Sequence, residues 1–365
     1  MNIAKKNILI IFSLSIIFGC IEPFEPDIDG YDDFLVVEGG ISNESPPYQI
    51  RLTRTTAYDD SELPVERGAI VIIRDDQGNE ETLQEGNNGI YTSSEDGIRG
   101  IAGVSYQLEI QTQGNNYLSE WVTMPDSVPI QSINKEYNER ILANDMVTEG
   151  FEILVNNNGG GTGYYRWTWE ETWRFSLPGY DTIINQICWQ SNRSNNLLIG
   201  SSSQVQGINN AFIRNVTLDD GRLLDRYSIQ VNQYTITEDA YNYWLNIANL
   251  NQNTGTLFDP LPYEIQGNIT NIEDPEERVV GFFEASGVSS ERIFISNEEL
   301  PSGKIPFNYF SNFCTKSFDS RTEALAEGFD VLVFPVVMGP DTYLRRECLD
   351  CENFGTADEP DFWTE

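Results

Sequence analysis

The chain has 365 residues, 57 of them acidic and 22 basic, giving a formal charge of -35 at pH 7, and it contains no histidine. The charge excludes a nucleic-acid partner, because polyanion binding rests on Lys and Arg neutralising phosphates. The missing imidazole excludes Ser-His-Asp and Cys-His nucleophiles, histidine proton shuttling near neutral pH and His-ligated zinc.

Lys5 and Lys6 precede an apolar run, Ile8 to Phe18, that ends at Gly19-Cys20. A charged start, a short apolar stretch and a small residue before the cut describe a secretory signal, whereas a membrane-spanning helix needs about 20 apolar residues. A cysteine directly after the small residue is what lipid-attaching signal peptidases require, because its thiol takes the diacylglycerol. Residues 1–19 are therefore expected to be a lipoprotein signal peptide and Cys20 the lipidated first residue; the competing reading is an ordinary signal with a chance cysteine. Two or three acyl chains suffice for stable anchoring. Residues 20–33 form an acidic tether in which Pro23 and Pro26 discourage regular structure.

Residues 34–126 read as short strands with stops between them, which suggests a β-sandwich, and the order of a strand, an Asx-Gly turn and Gly89-Ile90-Tyr91 resembles Ig-like or prealbumin-like modules. Leu35 to Glu38 meets Gly39-Gly40, Tyr48 to Leu52 alternates faces, and Gly68 to Ile73 runs into the turn Asp75-Asp76-Gln77-Gly78-Asn79. Gly89 to Thr92, Val104 to Ile110 and Tyr117 to Val122 follow. Two prolines in Met124 to Pro129 mark the boundary.

Residues 127–365 read as a larger β-rich domain. Gly150 to Val155 and Tyr164 to Phe175 are expected as a hairpin whose tip is Asn156 to Gly161, a loop suited to recognition. In the second strand Tyr165, Trp167, Trp169, Trp173 and Phe175 share one face. That face is either core, the favoured reading, or a sugar-stacking platform. One α-helix is expected, capped by Thr237, with Glu238 and Asp239 at its positive end and Ala240, Tyr243, Trp244, Ile247 and Leu250 at helical spacing. Gly281 to Ser286 and Arg292 to Ser296 add two strands.

Four cysteines remain after lipidation: Cys188, Cys314, Cys348 and Cys351. In an exported chain they suggest two disulfides with three possible pairings, of which Cys348 with Cys351 and Cys188 with Cys314 is preferred. Acidic doublets such as Asp75-Asp76 and Asp219-Asp220 are most simply turn residues in so acidic a chain. No catalytic residue, metal ligand or cofactor site is nominated, and the chain is expected not to be an enzyme.

Several short motifs occur in a distinctive order: Leu257-Phe258-Asp259-Pro260, Gly267-Asn268-Ile269, Asp274-Pro275, Val280-Gly281-Phe282-Phe283-Glu284-Ala285-Ser286, Cys348-x-x-Cys351 and Pro360-Asp361-Phe362-Trp363. Together they resemble a Bacteroidota lipoprotein family that carries a domain-of-unknown-function label and is commonly encoded beside TonB-dependent receptors. The chain departs from the family pattern at Glu352 and at Phe354-Gly355. The resemblance implies an outer-membrane lipoprotein, lipid-anchored and facing the cell surface, that partners a TonB-dependent receptor in nutrient uptake. A structural or adhesive envelope lipoprotein without a transport partner is the alternative. No functional residue of the family is carried over.

Overall fold

The computed structural model describes residues 33–56, 63–141, 147–159, 163–202, 207–252, 265–336 and 339–363. Cys20 and residues 21–32, where the acidic tether is expected, lie outside them. The chain is mainly β, as expected.

Nine strands come first: β1 (Leu35–Ser42), β2 (Gln49–Arg54), β3 (Ile70–Asp75), β4 (Glu80–Thr82), β5 (Gln84–Glu85), β6 (Ile90–Thr92), β7 (Ser105–Gln111), β8 (Asn116–Ser119) and β9 (Val122–Thr123). Period-two patterning sets their faces. In β7, Tyr106, Leu108 and Ile110 are buried while their neighbours are half-exposed, and they share one core with Val71 and Ile73 of β3. The Asp75 carboxylate accepts from the backbone N–H groups of Gln77 and Asn79 at 3.0 and 2.8 Å, closing the expected turn into β4. The strand expected over Tyr117 to Val122 is interrupted after β8. There the Ser119 hydroxyl accepts from the Leu108 N–H, and Trp121 is left exposed.

The rest of the body adds β10 (Ile130–Ile141), β11 (Val147–Asn157), β12 (Gly163–Ser176), β13 (Ile187–Arg193), β14 (Leu198–Ser202), β15 (Ala211–Thr217), β16 (Arg226–Ile236), helix α1 (Glu238–Gln252), β17 (Ile269–Asn271) and β18 (Val279–Ser296). The two strands expected at Gly281 to Ser286 and Arg292 to Ser296 are one continuous strand, β18. Its first half pairs parallel with β1, ending at Ser42 opposite Ser286, and its second half pairs antiparallel with β16, beginning at Thr235 opposite Gly287. One strand thus joins two sub-sheets in the order β13-β12-β16-β18-β1-β2-β6-β5, with β14 on β12.

Two details secure the change of partner. Past the end of β1, the Asn43 side chain accepts from the Val288 N–H at 2.6 Å and donates to the Val288 carbonyl, extending the ladder by one rung. At Gly287 the chain crossing between the two halves passes so close that a Cβ would lie 2.5 Å from the Ser127 nitrogen. Only glycine fits there.

The first sandwich closes with strands from beyond residue 126. β17 pairs with β8, and Ile269, Val279, Phe283 and Ala285 enter the same core as Leu35, Ile50 and Tyr106. The opposing sheet of this sandwich runs β17-β8-β7-β3-β4, with β9 on β7. In the second half a three-stranded sheet, β10-β11-β15, contributes Phe151, Ile153 and Val216 to a core shared with the aromatic row of β12.

The expected hairpin does not form. β11 pairs with β10 and β15, whereas β12 pairs with β13, β14 and β16, so the asparagine- and glycine-rich stretch crosses between sheets. Asn157, placed in the supposed tip, is buried; its amide donates to Gln233 Oε1 and its oxygen accepts from the Ile208 N–H. Residues 160–162 lie outside the described set. The aromatic row is core: Tyr165, Trp167, Trp169 and Phe175 are buried, and Trp173 packs half-buried beside them. α1 begins where its cap predicts, with the Ala240 N–H donating to the Thr237 hydroxyl.

A lobe at the chain's end holds α2 (Tyr309–Cys314), β19 (Thr315–Phe318), α3 (Arg321–Ala326), β20 (Val331–Phe334) and β21 (Asp341–Leu344). Its disulfides are Cys188–Cys351 and Cys314–Cys348, which corrects the preferred pairing. Cys348 and Cys351 sit in successive 3-10 turns separated by Asp350, whose extended backbone (φ -147°, ψ 124°) sends the two thiols to different partners. Both bridges lie in one cluster with Phe175, Leu177, Phe310 and Leu344, which ties the lobe to β12 and β13. Trp363 packs edge-on against Trp189 and Phe294.

Candidate functional site

Two carboxylates are buried among aromatic rings and arginines, and both were passed over in the sequence. Glu171 stands on β12 within the aromatic row and is fully buried. It accepts from the Tyr227 hydroxyl at 2.7 Å and from Arg214 Nε and Nη2 at 3.1 and 3.0 Å. Arg222 lies at 3.5 Å, while the two guanidiniums cover the rings of Trp169 and Trp173. Arg214 belongs to β15, so the cluster pins the three-stranded sheet onto the large one. Burial pushes the Tyr227 hydroxyl well above its ordinary pKa, and the Glu171 charge adds to that shift. Both Glu171 oxygens are engaged by protein donors, so the carboxylate itself is not free to receive a ligand.

Glu284 stands on β18, just before the strand changes partners, and only 5% of it is exposed. Arg166 of β12 donates to it from Nη2 at 2.8 Å and from Nε at 3.4 Å, and Trp244 of α1 donates from Nε1 at 2.9 Å. The Arg166 guanidinium lies 4.2 Å from the ring centre of Tyr234 on β16. Burial works against the Arg166 charge, but the Glu284 charge and hydrogen bonds overcome it and hold the guanidinium above its ordinary pKa. β12 and α1 therefore converge on one carboxylate of β18, with β16 packed against the guanidinium.

This cluster forms one wall of a groove of about 490 Å³ along the β1/β18 seam, under α1. Tyr243 and Trp244 extend the aromatic surface, with Tyr243 packed on Phe282 at 5.2 Å between ring centres. Glu38 and Glu44 line the side belonging to β1 and the turn after it. The groove lies at the junction of two sub-sheets, where ligand sites are commonly built, and its size is within the usual range for such sites. Among the lining residues Arg166 is the sole cation, and Glu284 already engages it.

Of the residues expected to matter, the four cysteines are brought together in the lobe and are structural there. Cys20 lies outside the described residues. Arg166, on the face of β12 opposite the aromatic row, is drawn onto Glu284. The available signal for Glu284 was a single carboxylate inside the apolar run Val279 to Ala285, and for Glu171 an acid on the aromatic side of β12. Among the described residues, no group of three or more His, Cys, Asp or Glu side chains is arranged to hold a metal ion.

A comparison with curated proteins found no match. The family described as domain of unknown function DUF4249 matches residues 21–292, and the chain belongs to that family.

Proposed function

We propose that the chain is an outer-membrane lipoprotein, anchored through Cys20 and facing the cell surface, that serves as an accessory or binding partner of a TonB-dependent receptor in nutrient uptake. The observation that carries this reading is the run Ile8 to Phe18 ending at Gly19-Cys20, with the family match beginning at the next residue. The resemblance to a Bacteroidota family commonly encoded beside such receptors supplies the partner. Binding rather than catalysis suits the two buried carboxylates, since each is neutralised by arginine and held in place.

Fatty-acid labelling tests the anchor: it is expected in the wild type and lost on Cys20→Ser. Affinity purification from gently solubilised membranes tests the partner, with one dominant TonB-dependent receptor expected at near-equal stoichiometry. Recovery of the lipoprotein alone, with the receptor demonstrably expressed, would favour the structural or adhesive envelope protein.

A further inference from the structure

We propose that the seam groove receives an arginine- or lysine-bearing segment of a partner protein, lodging its cationic side chains against the rim carboxylates Glu38 and Glu44, beside the half-buried Trp244 ring. This deepens the receptor reading, which it takes as its premise, by assigning the docking face and the chemistry of what docks.

The groove itself shows what it can hold. Arg166 already occupies half of its chemistry: a guanidinium bonded to Glu284, lying over Tyr234, with the Trp244 ring centre 5.6 Å away. The β1 side of the groove carries two further carboxylates, Glu38 and Glu44, and none of the residues lining that side is a cation. Glu44 has no basic side chain within ion-pair distance among the described residues, and Glu38 meets only Arg51, at 3.6 Å on an open surface. Carboxylates beside electron-rich aromatic faces select organic cations and repel anions. An apolar ligand would leave the acidic rim unpaired.

A polypeptide segment is favoured over a free small cation because the groove is open along the seam. A lone cation would be only partly enclosed, whereas a side chain belonging to a larger interface draws its affinity from the surrounding contacts as well. The overall charge of -35 accelerates encounter with a basic surface and disfavours an acidic one.

Titration calorimetry on the purified protein tests the assignment, using an acetylated, amidated Gly-Arg-Gly-Arg-Gly peptide as probe. Saturable one-to-one binding is expected, weakened about fivefold by the double substitution Glu38→Gln and Glu44→Gln. Glu298→Gln with Glu359→Gln removes the same charge from exposed positions outside the groove and is expected to change the affinity less than about twofold. Equal losses from both pairs would overturn the proposal, since general attraction to an acidic protein would then account for binding. So would the absence of saturable binding, or groove-dependent binding of a Glu-for-Arg peptide or of maltotriose. The receptor reading fails separately, if no receptor is recovered in the purification while the peptide results stand. Conversely, undiminished receptor recovery with the groove double variant would overturn the groove and leave the receptor reading intact.

Discussion

Glu171 and Glu284 are built from the same parts and do different work. Each is a buried carboxylate satisfied by an arginine whose guanidinium lies over an aromatic ring. Around Glu171 the partners come from both faces of a sandwich and close on each other, so the cluster fastens one sheet to another. Around Glu284 the partners come from one sheet and a helix, at a place where β18 has left one neighbour and gained another. The pairing there leaves a side open. Depth alone does not separate a structural ion cluster from the wall of a binding groove; what separates them is whether a second layer of the fold covers it.

The sharpest way to break this comparison is to remove each acid in turn. Glu171→Ala leaves Arg214 and the Tyr227 hydroxyl without their acceptor, while Arg222 keeps Asp220, and should cost about 3–5 kcal/mol in urea denaturation. A loss below about 1 kcal/mol would show that the cluster does not hold the sheets together. Opening Cys188–Cys351 by the paired substitution to Ser should cost about 2–4 kcal/mol, because the bridge closes a long loop with a sequence separation of 163 residues. Limited proteolysis should then cut first within residues 297–363. Glu284→Ala strips Arg166 and Trp244 of their acceptor at the wall of an open groove, where water can take its place, and should cost less than Glu171→Ala, about 1–3 kcal/mol. The ranking of the two acids, more than either number, carries the contrast.

The smallest effect is an alkaline one. Tyr227 has its hydroxyl pKa raised in the folded state, so above pH 10, where the unfolded phenol ionises, the folded chain retains a proton that the unfolded chain has lost. Rising pH therefore favours unfolding, while below pH 10 the contribution is constant. Between pH 9 and 10.5 wild type should lose up to about 1 kcal/mol more than Tyr227→Phe. Parallel pH profiles for the two would remove Tyr227 from the account of the cluster.

Much of the local structure was legible because it depends on neighbours in sequence. Alternation in Ser105 to Gln111, the Asp75 turn and the Thr237 cap each rest on contacts a few residues apart, and each is found where expected. What was not legible depends on partners far along the chain. The continuity of β18 needs β1 from the start of the chain and β16 from its middle, so its two halves read as separate strands. The hairpin failed for the same reason: strand pattern and a flexible connection fit a crossover between sheets as well as they fit a turn. Spacing could not set the disulfides either, because the backbone at Asp350 decides where two cysteines three positions apart will point. At the groove, Glu284 takes its hydrogen bonds from residues 118 and 40 positions away, and no periodicity announces such a meeting.

The most direct test of the distinction between the closed cluster and the open groove is hydrogen exchange with and without the arginine peptide. The account predicts added protection in Leu35–Ser42, in α1 and in the first half of β18, with exchange around Glu171, Arg214 and Tyr227 unchanged. Protection centred on β15 and the middle of β12, or none along the β1/β18 seam at saturating peptide, would contradict it.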